Sequence, residues 1–406
     1  MSRKIFIIIA IVLVIFIFAL VAYYFLAVSN GNNPAGDMLG FKQFFPFGGT
    51  APVSTTTPAN NATSTQPIVP AQNYIQKLRK IWAEPVAGAG LLDVKAGTVV
   101  RHVEVATGHI YETELFSPVQ NRISNTTMPL VYNAVWGNKN KSFIAQYLAD
   151  DNETINTYVL SVKDTATSTQ NPVSGYVLAN DIEQTSVLGN TMFYLEQTSA
   201  GTQGFISGLD GLKRKQIWNS PLKELLPQLV SDTTVTLTTK PHQNVPGFMY
   251  SVSANTGAVK KILGNIGGLS ALMSPDASKV LYSSQNFDSQ MFLYSTKDRT
   301  SKNLTPATFP EKCVWSKKDA NIVYCAVPRE YLDGSSLDSW YMGMISFTDD
   351  IWKYDLKQNT SSIVGNLMNE SGEAIDAIKP LLSDSEQYFV FINKRDGSLW
   401  SLDLSK

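Results

Sequence analysis

Short apolar runs separated by polar turns dominate the chain after about residue 74, and the clearest example lies within residues 273–296. There a Pro275-Asp276 pair separates two apolar runs. Such a pair favours a tight turn, because proline fixes φ and aspartate can bond to its own backbone. Residues 280–282 are apolar without alternation, as expected for a strand that is covered on both faces. The segment therefore predicts a strand, a turn, a second strand, a loop and a third strand.

The same unit recurs along the chain with a period in the mid-forties. An aromatic residue with strand-forming residues two and four positions later marks each copy: Tyr111, Tyr158, Phe205, Phe248, Phe292, Trp352 and Trp400. The intervals are 47, 47, 43, 44, 60 and 48 residues, and such a period is typical of a β-propeller with four strands per blade. We therefore predict an all-β fold, a seven-bladed β-propeller of four-stranded antiparallel blades. Residues 222–229 have a helical spacing and predict one short turn at a blade junction.

The last blade requires a strand from elsewhere in the chain. After Trp400, residues up to Leu404 complete only a third strand, and the sequence stops at Lys406. Residues 76–85 are similar to residues 213–221, which occupy the position of an outer strand in their own blade. Because an open propeller would leave sheet edges unpaired, we expect residues near 76–82 to supply the missing strand.

A second repeat consists of a small residue, five polar or turn-forming residues and then an apolar strand. It occurs at Gly137, Ser274, Ser316 and Ser383. The copy Ser274-Pro275-Asp276, with its apolar strand after Lys279, resembles the repeat of TolB-type, WD40-like (PD40) propellers; the other copies lack the proline. The resemblance implies that residues 76–406 form a propeller. It implies no catalytic residue, because that family uses the repeat structurally.

The first 73 residues differ from the repeats. Residues 1–4 are basic, residues 5–28 are 24 uncharged and mostly apolar residues, and residues 29–73 form a flexible linker rich in Thr, Pro, Ala and Asn. An uncharged run of this length spans a hydrocarbon core of about 30 Å as one transmembrane α-helix. Because the positive charges precede the span, we expect residues 1–4 in the cytoplasm and the propeller, residues 74–406, outside it. A cleaved signal peptide is the alternative, although its apolar core is usually shorter.

Composition excludes several classes of function. The formal net charge is −1, which gives no reason to expect nucleic acid as a partner. The chain has only 3 His, which are scattered, and 2 Cys, a composition that argues against a zinc or haem protein. We therefore predict no cofactor and no metal, and a single membrane span as the contact with lipid.

Blade 6 carries an insertion, because its interval is 60 residues where the others are 43 to 48. The surplus is the loop of residues 328–350 between the second and third strands, and long loops in compact domains tend to be functional. Its aromatic and charged residues have the composition of a contact site. The candidate partner-binding residues are Arg329, Tyr331, Asp333, Asp338, Trp340, Tyr341 and Asp349. The alternative is that the aromatic residues cap the channel or pack on blade 7.

Cys313 and Cys325 fall on the first and second strands of blade 6. If the hairpin is centred on Asp319, the two cysteines face each other, and a directly opposed pair lies within disulfide range. A disulfide and two small buried hydrophobic residues are both compatible with the pattern, because a slip of one residue would separate the thiols.

These features predict a membrane-anchored extracytoplasmic propeller that binds a protein or glycan of the cell envelope without catalysis. The blade-connection face and the insertion are its expected contact surface. The alternative is a small-ligand-binding or hydrolytic propeller enzyme that uses the central channel and residues 328–350. That alternative requires three or more ionisable side chains to converge at the channel mouth.

Overall fold

A computed structural model describes residues 76–124, 126–149, 151, 153–162, 173–285 and 288–406. The predicted cytoplasmic stub, membrane span and linker lie outside these residues. Within the described part, no helix combines the length and apolar character needed to cross a membrane.

The described residues form seven four-stranded antiparallel sheets arranged as the blades of a β-propeller. Blade 1 comprises β2 Val86–Val94, β3 Gly97–Glu104, β4 Ile110–Glu114 and β5 Gln120–Ser124. Blade 2 comprises β6 Val131–Gly137, β7 Ser142–Leu148, β8 Ile155–Val162 and β9 Val173–Val177. Blade 3 comprises β10 Ile182–Leu188, β11 Thr191–Thr198, β12 Gly201–Gly208 and β13 Lys215–Ser220. Blades 4 and 5 comprise β14 Leu225–Ser231, β15 Thr234–Thr239, β16 Pro246–Ser253 and β17 Val259–Gly267; β18 Ser270–Met273, β19 Lys279–Gln285, β20 Ser289–Ser295 and β21 Thr300–Leu304. Blade 6 comprises β22 Cys313–Trp315, β23 Ile322–Pro328, β24 Asp349–Asp355 and β25 Thr360–Gly365. Blade 7 comprises β26 Ala377–Leu382, β27 Tyr388–Asn393 and β28 Leu399–Asp403, and its fourth strand is β1 Leu78–Trp82 from the start of the described chain.

The aromatic period is the period of the third strands. Each of the seven aromatic anchors lies on the third strand of its blade, from Tyr111 in β4 to Trp400 in β28. First strands of neighbouring blades contact one another, so the first strand of each blade is the innermost one. The predicted fold class is confirmed: seven four-stranded antiparallel blades are closed by an early strand.

The short helical turn predicted at residues 222–229 is wrong, because β14 begins at Leu225 and continues to Ser231. Leu225 and Leu229 are buried, and their four-residue spacing imitates one face of a helix. Backbone pairing with β15, which sets Leu225 opposite Thr239, fixes the segment as a strand instead.

The helices among the described residues are short. In this part of the chain, two α-helices, α1 Ser336–Tyr341 and α2 Leu367–Ser371, follow β23 and β25, and 3-10 turns occupy Asn138–Asn140 and Pro310–Lys312. All four lie in connections between strands. The helix α1 belongs to the insertion of blade 6. The repeat pattern predicted this insertion but not the helix within it.

The serine of the second repeat is a turn-fixing residue. Ser274 is buried; its backbone N–H donates to Lys279 O at 2.9 Å, and its hydroxyl accepts from Lys279 N at 2.9 Å. Ser383 makes the same pair of contacts with Tyr388 at 3.0 and 3.1 Å. A small hydroxyl therefore satisfies a backbone group inside the hairpin.

Strand β1 closes the propeller by pairing with β28. Leu78 lies opposite Leu402, and Lys80 lies opposite Trp400. Successive side chains of a strand point to opposite faces, so Leu78 packs in a cluster with residues of blades 6 and 7, whereas Ile81 packs between blades 7 and 1. This short strand thus buries apolar surface against both neighbours of its own sheet.

We predict that Ile81→Asp opens the propeller, because it places a charge at a buried position between two blades. Ile81→Ala is the milder test and is expected to lower the free energy of unfolding by about 2–5 kcal/mol, the usual range for truncating a buried isoleucine. Chemical denaturation measures both, with the exposed Lys95→Ala as the control. Unchanged unfolding of Ile81→Asp would contradict the role of β1.

An aromatic cluster around the buried His102 lies beside this closure. The ring centroid of Trp82 is 4.2 Å from that of Tyr111 and 4.9 Å from that of His102. Neither ring nitrogen of His102 has a hydrogen-bond partner among the described residues. Burial lowers the pKa of His102 to about 3, because the charged imidazolium would lose its hydration there.

The low pKa of His102 predicts that the free energy of unfolding falls at acid pH. The unfolded state binds a proton near pH 6.5 and the folded state only near pH 3, so the contribution is complete above pH 6.5 and is lost as pH falls. Each pH unit between these values costs about 1.4 kcal/mol. Replacement His102→Phe is expected to remove this part of the slope in pH-dependent denaturation. Equal slopes for both proteins would contradict it.

Candidate binding face around the insertion of blade 6

The insertion lies between the end of β23 and the start of β24 and contains α1. A loop between second and third strands lies on the same side as the connections between blades, which we call the top face. Asp338 of α1 accepts hydrogen bonds from the backbone N–H of Gln243, at 3.1 and 3.3 Å, in the β15–β16 loop of blade 4. Arg395 in the β27–β28 loop of blade 7 donates to Phe347 O at 3.1 and 3.3 Å. The insertion therefore reaches from blade 4 to blade 7.

A buried ion cluster fixes the base of the insertion. Lys312 Nζ lies 2.8 Å from Asp349 Oδ2 and also contacts Asp376 Oδ1, and none of these side chains is exposed. Asp376 Oδ2 accepts from Trp340 Nε1 at 2.8 Å and from Phe347 N at 3.0 Å. Burial raises the pKa of Asp349 to about 6, against the lowering effect of the Lys312 ammonium. The cluster thus joins the start of blade 6, the insertion and the start of blade 7.

Two residues predicted to contact a partner lie in the interior. Trp340 is 6% exposed and packs against Phe309, with ring centroids 5.9 Å apart. The Lys312 ammonium lies 5.2 Å from the centre of the Trp340 ring. Trp340 and Asp349 therefore support the face from beneath and do not form it. The physical reason is that the buried Lys312 charge needs acidic and aromatic partners of this kind.

The other predicted residues of the first part of the insertion are exposed. Arg329 makes a two-bond contact with the Asp350 carboxylate, from Nε at 3.0 Å and from Nη2 at 2.8 Å. Tyr331 is 74% exposed, and its hydroxyl donates to Asp288 of blade 5. Asp333 accepts hydrogen bonds within the loop itself and pairs with Asp288 through an isolated β-bridge. These contacts orient an exposed surface over blades 5 and 6.

The two ends of α1 are attached differently. Tyr341 donates its hydroxyl to Glu311 Oε1, which also accepts from Ser270 Oγ at 3.0 Å, and burial raises the pKa of both Tyr341 and Glu311. Asp338 Oδ2 lies 3.7 Å from His242 Nε2. Tyr341 and Asp338 thus fix α1 to blades 4 to 6 while their outer surfaces border solvent.

A groove of about 700 Å³ lies between α1 and blade 4. Its apolar lining residues are Pro221, Leu222, Pro241, Val245 and Met342. Lys240 and Glu224 form an ion pair of 3.0 Å at its rim. The groove combines an apolar floor with a charged border, a combination found in contact surfaces.

Cys313 and Cys325 are directly opposite each other in the β22–β23 pair and are joined by a disulfide, with Cα atoms 4.0 Å apart. Both residues are buried between blades 5 and 6. The bond therefore ties together the hairpin from which the insertion leaves.

Sequence reasoning did not identify Lys312, Asp376 or Glu311 as parts of this face. A signal was present, because Glu311-Lys312 and Asp376 are charged residues placed directly before the apolar inner strands β22 and β26. Such junctions lie at the top of the propeller, beneath the insertion. Their partners in the insertion lie 29 or more residues away along the chain, so local pattern alone could not pair them.

Comparison with known proteins yields likeness of fold alone. No protein-family profile and no curated protein sequence matches the chain. An oligogalacturonate lyase in complex with manganese matches at 11% identity and TM-score 0.49, over 79% of this chain and 98% of the other. An oligogalacturonate lyase from Vibrio parahaemolyticus matches at 12% identity and TM-score 0.47, over 79% and 97%. The mitotic checkpoint complex contributes a chain at 9% identity and TM-score 0.49, over 87% and 98%.

Likeness at this level carries no argument about function. The class of protein rests instead on the strand pairing described above, which defines a seven-bladed β-propeller.

We predict that Lys312→Met lowers the free energy of unfolding by about 3–5 kcal/mol, because it leaves two buried carboxylates without their counter-charge. The loss is expected to be smaller at pH 5 than at pH 8, since Asp349 can take up a proton near pH 6. Denaturation at both pH values measures it. The control is Lys317→Met, which removes an exposed ion pair with Asp384 and should cost about 1 kcal/mol or less. Equal losses for the two variants would contradict the cluster's role.

Proposed function

We propose that this protein is a non-catalytic binding module of the cell envelope, held at the membrane by residues 5–28, with its propeller outside the cytoplasm. The insertion and the adjoining groove on the top face are its contact surface. The observation that carries the proposal is a rigidly supported set of exposed apolar side chains. Met342 and Met344 are 66% and 71% exposed on an insertion whose base is fixed by buried ions.

The rigidity of this surface favours binding. Contiguous exposed apolar groups on a soluble domain typically mark an interaction site. A surface that is already ordered loses less conformational entropy when a partner arrives. The groove beside Met342 favours a protein partner over a glycan, because its floor is largely apolar.

The disulfide supports a location outside the cytoplasm. Disulfides persist in oxidising compartments and are rare in the cytosol. The bond between Cys313 and Cys325 therefore agrees with the orientation that the basic residues before the span predict.

We expect Met342→Lys and Val245→Lys to abolish capture of the partner. The full chain would be cross-linked in envelope membranes, purified and analysed by mass spectrometry, with thermal unfolding confirming the fold. Leu212→Lys is the matched control, because Leu212 is equally exposed, at 64%, in the β12–β13 loop on the opposite face. Both groove variants should reduce the captured partner at least tenfold, and the control should not.

Two results would overturn this proposal. One is a set of captured proteins that is the same for the groove variants and the wild type. The other is a captured species that is removed by glycosidase treatment, which would assign the face to a glycan.

A further inference from the structure

Four neighbouring inner strands are irregular at the same end. Register shifts interrupt β26, β2, β6 and β10 within their first few residues, at the top of the channel. A bulge leaves a residue unpaired and redirects its side chain. The unpaired positions include Lys379, Ala87, Tyr132 and Glu183.

Three of these side chains are ionisable and face the channel mouth. Lys379, Tyr132 and Glu183 are all exposed, although they lie on innermost strands. The flanks of an innermost strand pack on the neighbouring blades, so an exposed side chain at its first positions lies at the channel mouth. These three ionisable groups therefore lie at the same end of the inner strands of blades 7, 2 and 3.

Lys379 crosses from blade 7 to blade 2. Its Nζ donates to Ala87 O at 2.9 Å and to Asn133 Oδ1 at 2.8 Å. Asn133 in turn donates from Nδ2 to Gln146 Oε1 at 2.8 Å, which holds its amide oxygen toward the lysine. The ammonium is therefore held in one place, next to the residue that follows Tyr132.

The charge of Lys379 has no counter-charge. Both of its acceptors are neutral, and no carboxylate of the described residues forms an ion pair with it. An ammonium has three N–H donors, so one remains for a ligand. Lys379 as a whole residue is exposed, whereas protein atoms surround its ammonium group. This local burial lowers the pKa of Lys379 to about 8. An anion placed against it would restore the lost electrostatic stabilisation.

Tyr132 and Glu183 add neutral and acidic groups to the same wall. Burial, and then the nearby Glu183 carboxylate, raise the pKa of Tyr132, so the two side chains are close. A phenol can donate or accept a hydrogen bond, and a carboxylate accepts from hydroxyl groups. Ile378, adjacent to Lys379, packs against the apolar cluster under the insertion, which therefore borders this wall.

We propose that this part of the channel mouth binds a small hydroxycarboxylate, with the carboxylate on Lys379 and the hydroxyl groups on Tyr132 and Glu183. This site goes beyond the proposed docking face and does not depend on it. The Lys379 ammonium, which has two neutral partners, selects the carboxylate of the ligand. Tyr132 and Glu183 select the hydroxyl groups of the ligand.

The test is calorimetric titration of the full chain with D-gluconate, and with sorbitol as the neutral analogue of the same length and hydroxyl pattern. We expect gluconate to bind and sorbitol to bind at least tenfold more weakly. Lys379→Met should weaken gluconate at least tenfold, Tyr132→Phe should weaken it less, and Lys260→Met, at an exposed outer-strand position, should leave it unchanged.

Thermal unfolding of each variant accompanies the titrations. If wild-type protein binds no gluconate, the proposal is overturned, and a loss of stability in Lys379→Met then identifies the lysine as a structural tie across the channel. Equal affinity for gluconate and sorbitol would also overturn it. Loss of gluconate binding in a folded Tyr132→Phe or Lys379→Met protein supports the site.

Discussion

Every blade of this protein depends on the pairing of β1 with β28. A blade buries its two faces against two neighbours, so a propeller has no natural end, and one open joint would expose two apolar faces and a sheet edge. The chain removes the joint by giving its last sheet a strand from the start of the described residues. Leu78 and Ile81 then face opposite neighbours, and the aromatic cluster of Trp82 extends the contact into blade 1. Closure therefore fixes the position of all seven inner strands and hence of the channel mouth.

On that frame, the insertion is positioned by charge more than by apolar contact. Desolvating Lys312, Asp349 and Asp376 together is costly, and such a cluster adds less stability than an apolar core of equal volume. The cluster fixes the position of the insertion, because each carboxylate has a defined donor on another element. An insertion held in this way can leave methionines exposed at its outer surface without collapsing onto the propeller. The ionic base and the apolar outer surface are thus two parts of one arrangement.

The sequence predicted what depends on local periodicity. Seven aromatic anchors found all seven third strands, because the repeat of strand length and turn fixes their spacing. The opposed positions of Cys313 and Cys325 followed from the centre of one hairpin. The interior position of Trp340 agrees with the alternative that the aromatic residues pack on blade 7, but local pattern could not select it, since the partner Asp376 lies 36 residues away and across a blade boundary. The strand at Leu225 was mistaken for a helical turn for a related reason: its pairing with β15 decided between two structures that fit the same apolar spacing.

The channel mouth shows why bulges matter more here than residue type. Inner strands β18 and β22 pair without a register shift and belong to blades 5 and 6, which the insertion covers. The inner strands with a bulge at their first residues belong to blades 7, 1, 2 and 3, whereas β14 of blade 4 has its bulge near its last residues. Lys379, Tyr132 and Glu183 would each be unremarkable in a regular strand, where alternation directs side chains into the packed faces between blades. A single extra residue in each of these strands leaves the three side chains unpaired and exposed at the channel mouth.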